Sequence, residues 1–443
     1  MNSIESKKSL GLSGEIKVPG DKSISHRALI IGSMVNGKIK IKNLLESEDV
    51  IATANALKQL DVKINKVTQN EWEVFGNGIG CLEGSNPLLD MGNSGTGARL
   101  LMGLVAGSNV EATFTGDKSL SKRPMERIIK PLVMNGAVVH NENNNTLPIT
   151  IKGNRIPLPI KYHSPVASAQ VKSAIFLAGL SSLGKTTVIE PSLSRDHTER
   201  LLKYLGAEVI TNRLPDLSWE IILQGMPELN PLDISVPSDP SSAAFPIVTA
   251  IITPNSEVLV KNVCINKLRI GLYKTLIEMG ANIKFLNERK VNGENIADIS
   301  AKSSSLIGIN VPKSRAPSMI DEYPILAVAA SKANGVTIME GVQELRYKET
   351  DRIKAMAEGL SSMGIQTENT VDSLTIYGKG TSSSIEGGVN IHSMLDHRIA
   401  MSFLCLGLIS KKPIIVNDTD TINSSFPNFF DEMNKIGAKL NYI

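Results

Sequence analysis

The chain has 443 residues, 42% hydrophobic and 21% charged, with 47 Lys and Arg against 44 Asp and Glu. That length calls for two or three domains, and a net charge of +3 is too balanced for a general nucleic-acid or membrane-surface binder. Cys81, Cys264 and Cys405 lie far apart with no CxxC pair, which fits reduced thiols in a cytoplasmic protein rather than a disulfide framework or a metal site.

The first residues, Met1-Asn-Ser-Ile-Glu-Ser-Lys-Lys-Ser9, lack the apolar core of a secretory signal. Gly14–Val18 reads as a short strand that ends in a Pro19-Gly20 turn, with a helix after it. Asp21 or Ser23 is placed to cap that helix, so Lys22, Ser23 and Arg27 gather with free backbone N–H groups at its start, a setting that suits an anion. Met91-Gly-Asn-Ser-Gly-Thr-Gly-Ala-Arg-Leu100 is a Gly-rich approach to a helix from Leu101, and small residues there let a ligand come close to the backbone. Arg123 precedes Pro124 at a further helix entrance, and Asn141–Asn145 reads as an exposed loop tip. Ser168, Gln170 and Lys172 stand at another helix start.

Gly179-Leu-Ser-Ser-Leu-Gly-Lys-Thr186 matches the phosphate-binding loop pattern. That loop needs a strand before it and a helix after it, whereas here the flanking patterns read as helix and then strand, so it is a turn. Arg195-Asp-His-Thr-Glu199 adds a cation near a cap. In the second half, Asp321 and Glu322 lie in a weakly polar run that favours the protonated acid. Lys348, Glu349, Asp351 and Arg352 crowd a helix start, with Lys348 and Arg352 spaced to share one helical face. Asp396, His397 and Arg398 head an apolar helix, where charges are costly unless paired or met by a ligand. Its apolar run, Ile399 to Ile409, is too short to span a bilayer.

One pattern recurs: an amphipathic helix ending in Leu/Met-x-x-x-Gly-Ala-x-Val/Ile or close to it, followed by a strand-like run. The glycine position falls at Asp61, Gly136, Gly206, Gly280, Gly364 and Gly437, at spacings of 75, 70, 74, 84 and 73. Glycine there fits a left-handed helix C-cap, and six copies at near-constant period are an internal repeat. The chain is therefore mixed α/β, dividing into two domains of three copies each, with a break in the polar, Pro-rich segment Val236–Ser242. The strand before Lys22 fits either half.

The motifs Gly20-Asp-Lys-Ser-Ile-Ser-His-Arg27, Asn93-Ser-Gly-Thr-Gly-Ala-Arg99, Lys122-Arg-Pro-Met125, Ser168-Ala-Gln170, Asp321-Glu322, Lys348-Glu-Thr-Asp-Arg352, Asp396-His-Arg398 and Ser425-Phe-Pro427 together resemble the 5-enolpyruvylshikimate-3-phosphate synthases, in that family's order and over the whole chain. The resemblance implies the enolpyruvyl transferase fold, an inverse α/β barrel of two domains, each three copies of a βαβαββ unit. Residues 1–20 would join 240–443 in one domain, 21–239 would form the other, and the active site would lie in the cleft between them. It implies transfer of the enolpyruvyl group of phosphoenolpyruvate to the 5-hydroxyl of shikimate-3-phosphate, with release of phosphate and without metal or cofactor. Lys22 would touch both substrates. Ser23, Arg27, Ser168, Ala169, Gln170, Arg195, Asp321 and Lys348 would hold shikimate-3-phosphate. Gly95, Arg123, Gln170, Arg352 and Arg398 would hold phosphoenolpyruvate. Asp321 would take the hydroxyl proton and Glu349 would exchange protons with the methylene carbon. The partners implied are these two small molecules, with neither nucleic acid nor membrane, for a monomer in the cytoplasm.

The chain departs from the family pattern at three points. Ala169 stands where many members have a second serine, Ser424 where many have lysine, and Leu100 where proline is common. The forms around Thr96–Leu100 and Arg195–His197 look like the family's second sequence class, in which Arg195 would compensate for the missing serine. Gly95 argues for sensitivity to glyphosate, which in this family occupies the phosphoenolpyruvate site. The alternative is the related transferase acting on UDP-N-acetylglucosamine, which typically carries a reactive cysteine in an Arg/Gly-rich active-site loop.

Overall fold

The computed structural model describes residues 2–84, 86–141, 145–381 and 383–443. The expected loop tip at 141–145 falls mostly on 142–144, outside the described residues. Twelve α-helices are described: α1 (Lys22–Gly32), α2 (Glu48–Gln59), α3 (Gly95–Ala106), α4 (Glu126–Met134), α5 (Ala169–Gly179), α6 (His197–Tyr204), α7 (Pro240–Ile252), α8 (Gly271–Glu278), α9 (Tyr323–Ser331), α10 (Arg352–Ser362), α11 (His397–Gly407) and α12 (Phe429–Lys435).

The six repeat positions close the even-numbered helices. Asp61, Gly136, Gly206, Gly280, Gly364 and Gly437 all have positive φ, between 60° and 107°. The next residue's amide turns back to a carbonyl five residues earlier in every copy: Val62 to Leu57, Ala137 to Leu132, Ala207 to Leu202, Ala281 to Leu276, Ile365 to Leu360 and Ala438 to Met433, at 2.9–3.1 Å. These are six Schellman caps. The one copy without glycine, Asp61, adopts the same left-handed conformation at φ 60°.

Odd-numbered helices are buried along most of their length and lie in the interior. All 13 residues of α7 and all nine of α9 are buried, whereas α12 buries only Phe429 and Met433. Strands cover the helices. Along Glu111–Thr115 buried residues alternate with partly exposed ones, the pattern of a sheet with one face on a core and one towards water.

Among the described residues there are six four-stranded sheets of one design, plus a two-stranded one. In one of them Leu88–Asp90 runs parallel to Glu111–Thr115, which pairs antiparallel with Ile149–Lys152, which in turn pairs antiparallel with Val138–His140. With α3 and α4 between its strands, the unit reads βαβαββ, as the resemblance implied.

Two compact units divide the chain: Met1–Pro19, Pro237–Lys290 and Asn295–Ile443 form the first, Gly20–Val236 and Val291–Glu294 the second. The strand Ser13–Ile16, which leads into α1, pairs instead with Glu257–Cys264 of the first unit. Conversely Ile234–Ser235, which leads into α7, pairs with Asn36–Lys42 of the second. The polar, Pro-rich segment of the expected break is buried at Ser238, Asp239, Ser241 and Ser242. It is held because the Asp239 side chain caps the Ser241 amide and Pro240 opens α7.

Candidate active site

The expected residues fall into two groups, one in each unit. In the second unit they cluster at the N-terminal ends of α1, α3 and α5. Asp21 caps α1 by accepting the Ile24 amide at 2.8 Å, which leaves Lys22 as the first helical residue. The Lys22 Nζ lies 2.5 Å from Asp49 Oδ2 on α2. One turn on, buried Arg27 donates to Thr198 Oγ1 at 2.7 Å, Ser173 Oγ at 2.8 Å and the Ser23 carbonyl at 2.9 Å, so it ties α1 to α5 and α6. Burial pushes the neighbouring His26 ring down to about 3, and its Nδ1 meets Thr53 Oγ1 at 2.8 Å. It is a neutral core histidine.

The Gly-rich stretch is not an approach to a helix but its first turn. Ser94 caps α3 by accepting the Gly97 amide at 3.2 Å, so the helix begins at Gly95, six residues before the expected start. A Cβ built on Gly95 would stand 3.0 Å from Arg99 Nη1 and 3.1 Å from Arg123 Nη1, which puts two guanidinium groups over this glycine. Arg123 donates to Asn93 Oδ1 at 2.7 Å and Ser119 Oγ at 3.2 Å, and its buried Nε has no hydrogen-bond partner. Gln170 donates to Thr96 Oγ1 at 3.0 Å and accepts from Arg99 Nη1 at 3.1 Å, joining the start of α5 to the start of α3. Ser168 caps α5, Ala169 is its first residue, and Arg195 stands partly exposed two residues before α6.

In the first unit the group is built around Arg352, the first residue of α10 and 1% exposed. Its Nε donates to Asp396 Oδ2 at 2.8 Å and its Nη2 to Glu349 Oε2 at 2.6 Å. Nη1 is buried without a hydrogen-bond partner, and Asp321 Oδ1 is 3.6 Å away. Burial opposes the charge on Arg352, but Asp396 and Glu349 outweigh it and raise its pKa. Lys348 Nζ approaches the same Asp321 oxygen at 4.0 Å. The setting of Asp321 is therefore cationic, not weakly polar as its sequence neighbours suggested. Lys348 also does not share a helical face with Arg352. It is extended at the end of the 3-10 turn Gln343–Tyr347, and Asp351 caps α10 after it by accepting the Lys354 amide at 3.0 Å. Buried Asp396 caps α11 through the Arg398 amide at 2.9 Å and leaves the Arg398 side chain partly exposed.

Sequence reasoning missed Asp49 and Arg99. Asp49 carried no motif; only the packing of α2 beside α1 identifies it. Arg99 lay inside a quoted motif, and its spacing of four from Gly95 was the available signal. The pseudo-phosphate loop is a turn between α5 and the strand Lys185–Glu190, the order that ruled it out.

The chain matches the EPSP synthase (3-phosphoshikimate 1-carboxyvinyltransferase) family over residues 6–433. It is 50% identical over 433 residues to a 3-phosphoshikimate 1-carboxyvinyltransferase of Bartonella quintana, covering 98% of each chain. It is also 50% identical over 437 residues to that of Parvibaculum lavamentivorans, covering 99% of this chain and 96% of the relative. The EPSP synthase structure from Acinetobacter baumannii superposes with a TM-score of 0.90 at 42% identity, covering all of both chains. The enolpyruvyl transferase NikO from Streptomyces tendae shares the fold at a TM-score of 0.79 and 16% identity. By sequence over nearly its full length, and by fold, this chain belongs to the EPSP synthase family, the 3-phosphoshikimate 1-carboxyvinyltransferases.

Proposed function

We propose that the two groups serve one reaction, the transfer of the enolpyruvyl group of phosphoenolpyruvate to the 5-hydroxyl of shikimate-3-phosphate. The observation that carries the assignment is the cluster around Arg352. Two carboxylates, Asp321 and Glu349, stand beside one buried guanidinium whose Nη1 has no hydrogen-bond partner. An addition–elimination needs a base for the hydroxyl, an acid for the methylene carbon and cations for the phosphate.

Asp321 takes the proton of the 5-hydroxyl as its oxygen bonds to C2 of phosphoenolpyruvate, and Glu349 delivers a proton to C3, which becomes a methyl group. The same Glu349 then takes a proton back from that methyl as the C2–O bond to phosphate breaks, restoring the double bond, and the proton held by Asp321 leaves with the phosphate. Arg352, Arg398, Arg123 and Lys22 hold phosphoenolpyruvate over Gly95, with Gln170 alongside. Ser23, Arg27, Ser168, Ala169, Gln170 and Arg195 hold shikimate-3-phosphate, with Lys22, Lys348 and Asp321 at its reacting end.

The rival transferase relies on a reactive thiol. Here Cys264 and Cys405 are buried, burial pushes the Cys405 thiol up to about 12, and the exposed Cys81 has no arginine in its stretch Gly78–Gly84. Among the described residues no helix is long and apolar enough to cross a membrane, and the two substrates, each bearing a phosphate and a carboxylate, do not diffuse through lipid, which supports a cytoplasmic location. Phosphate release from phosphoenolpyruvate with shikimate-3-phosphate, and none with UDP-N-acetylglucosamine, is the expected result. Asp321→Asn keeps the shape but cannot accept the proton, so kcat falls about 10²–10⁴-fold with KM little changed. A near-normal rate removes Asp321 from the mechanism.

A further inference from the structure

Lys172 is fully buried on α5, with Glu190 Oε2 at 3.0 Å and Glu199 Oε1 at 2.7 Å. One ammonium and two carboxylates inside a core are expensive compared with apolar residues of similar volume. None of the three has a place in the chemistry above, so their retention needs a reason.

The contacts of Glu190 supply it. This residue ends the strand Lys185–Glu190, and its Oε1 accepts the backbone amide of Ser168 at 3.0 Å. Its two oxygens also accept the Ser194 hydroxyl at 2.7 and 2.9 Å, and Oε2 accepts the Ser194 amide at 3.3 Å. Lys172 Nζ reaches the Ser194 carbonyl at 3.5 Å. A single carboxylate thus grips the cap residue of α5 and the residue just before Arg195. Those are the two arms assigned to shikimate-3-phosphate in this unit.

We propose that Glu190, locked by Lys172, is a positioning residue that sets the separation of Ser168 and Arg195 and so tunes affinity for shikimate-3-phosphate. The proposal rests on the assignment of those two residues to that substrate. A carboxylate can accept at both oxygens and serve both arms together, whereas an amide has one acceptor oxygen and turns an NH2 towards donors. The phosphoenolpyruvate side is insulated, because Arg123 is held by Asn93 and Ser119 and Arg352 by Asp396 and Glu349, none of which Glu190 touches.

Glu190→Gln tests this, since Lys172 keeps Glu199 as its partner at 2.7 Å. Loss of a charged acceptor from one arm raises KM for shikimate-3-phosphate about 10–100-fold, with KM for phosphoenolpyruvate, measured at saturating shikimate-3-phosphate, within about twofold. Ser194→Ala gives a smaller rise in the same direction and decides the matter if Glu190→Gln does not fold. Equal rises in both KM values, or a lowered melting temperature with no change in either, would overturn the proposal. Ser168→Ala and Arg195→Ala separate the two levels of inference. If they leave KM for shikimate-3-phosphate unchanged, the subsite assignment fails. If they raise it and Glu190→Gln does not, only the role of Glu190 fails.

Discussion

A methyl group added at Gly95 would press on the guanidinium ends of Arg99 and Arg123, at 3.0 and 3.1 Å, and touch Leu120 Cδ1 at 3.5 Å. Both arginine ends are flexible enough to move, so the fold survives while the anion-binding geometry shifts. Crowding of this kind costs about 1–3 kcal/mol, so Gly95→Ala is expected to raise KM for phosphoenolpyruvate roughly tenfold. The longer inhibitor glyphosate meets the methyl as well as the displaced arginine, so its inhibition constant rises further than that KM. Parallel measurement of both constants in the two proteins checks the order; an inhibition constant that rises no more than KM removes Gly95 as the determinant. At this scale the motifs identified most of the cations, because a helix start that gathers Lys, Arg and small residues has a recognisable spelling. They did not reveal Asp49 or the grip of Glu190 on Ser168, whose partners lie farther along the chain than any motif reaches.

At the scale of elements, the repeat rests on backbone conformation. Glycine takes a left-handed φ without steric cost, and five of the six copies use it. Asp61 holds φ 60° with its side chain exposed, a conformation that disfavours a residue bearing a Cβ. Asp61→Gly is therefore expected to stabilise the protein by about 0.5–1 kcal/mol, raising the melting temperature by roughly 2 °C. Gly206→Ala, at φ 106° with Asn230 Nδ2 only 2.5 Å from the new Cβ, is expected to lower it. Calorimetry on both variants checks the signs, and the same sign for both would contradict the left-handed cap as the stabilising feature. The start of α3 shows where spelling misleads. Gly95, Thr96 and Gly97 are poor helix formers, yet the Ser94 cap and the packing of the following turns draw them into the helix.

At the scale of the whole molecule, the N-terminal strand Ile4–Lys7 lies between Ile414–Asn417 and Lys439–Tyr442, antiparallel to both. It is a central strand contributed from the far end of the chain. Removing residues 1–8 strips both neighbours of a ladder and is expected to lower the melting of the first unit by roughly 10 °C or more. Hydrogen exchange should then show protection lost at Ile414–Asn417 and Lys439–Tyr442 but kept at Glu111–Thr115. Loss spread evenly over both sets of strands would refute the placement of this strand in one unit alone.

Taken alone, the sequence determined the mixed α/β class, the six-fold repeat, the left-handed position that ends each copy and the identity of most charged residues at helix starts. These are local properties: a cap, a period and a helix start each depend on residues within a few positions of one another. Only the tertiary structure decided that Ser13–Ile16 and Ile234–Ser235 each join the sheet of the other's following helix. It also decided that Arg352 gathers Asp321, Glu349 and Asp396, and that Lys172 is buried with two glutamates. Strand pairing and buried ion pairs bring together residues tens to hundreds of positions apart. Their partners are chosen by which faces are left to bury once the helices have packed, and no short stretch of sequence carries that information.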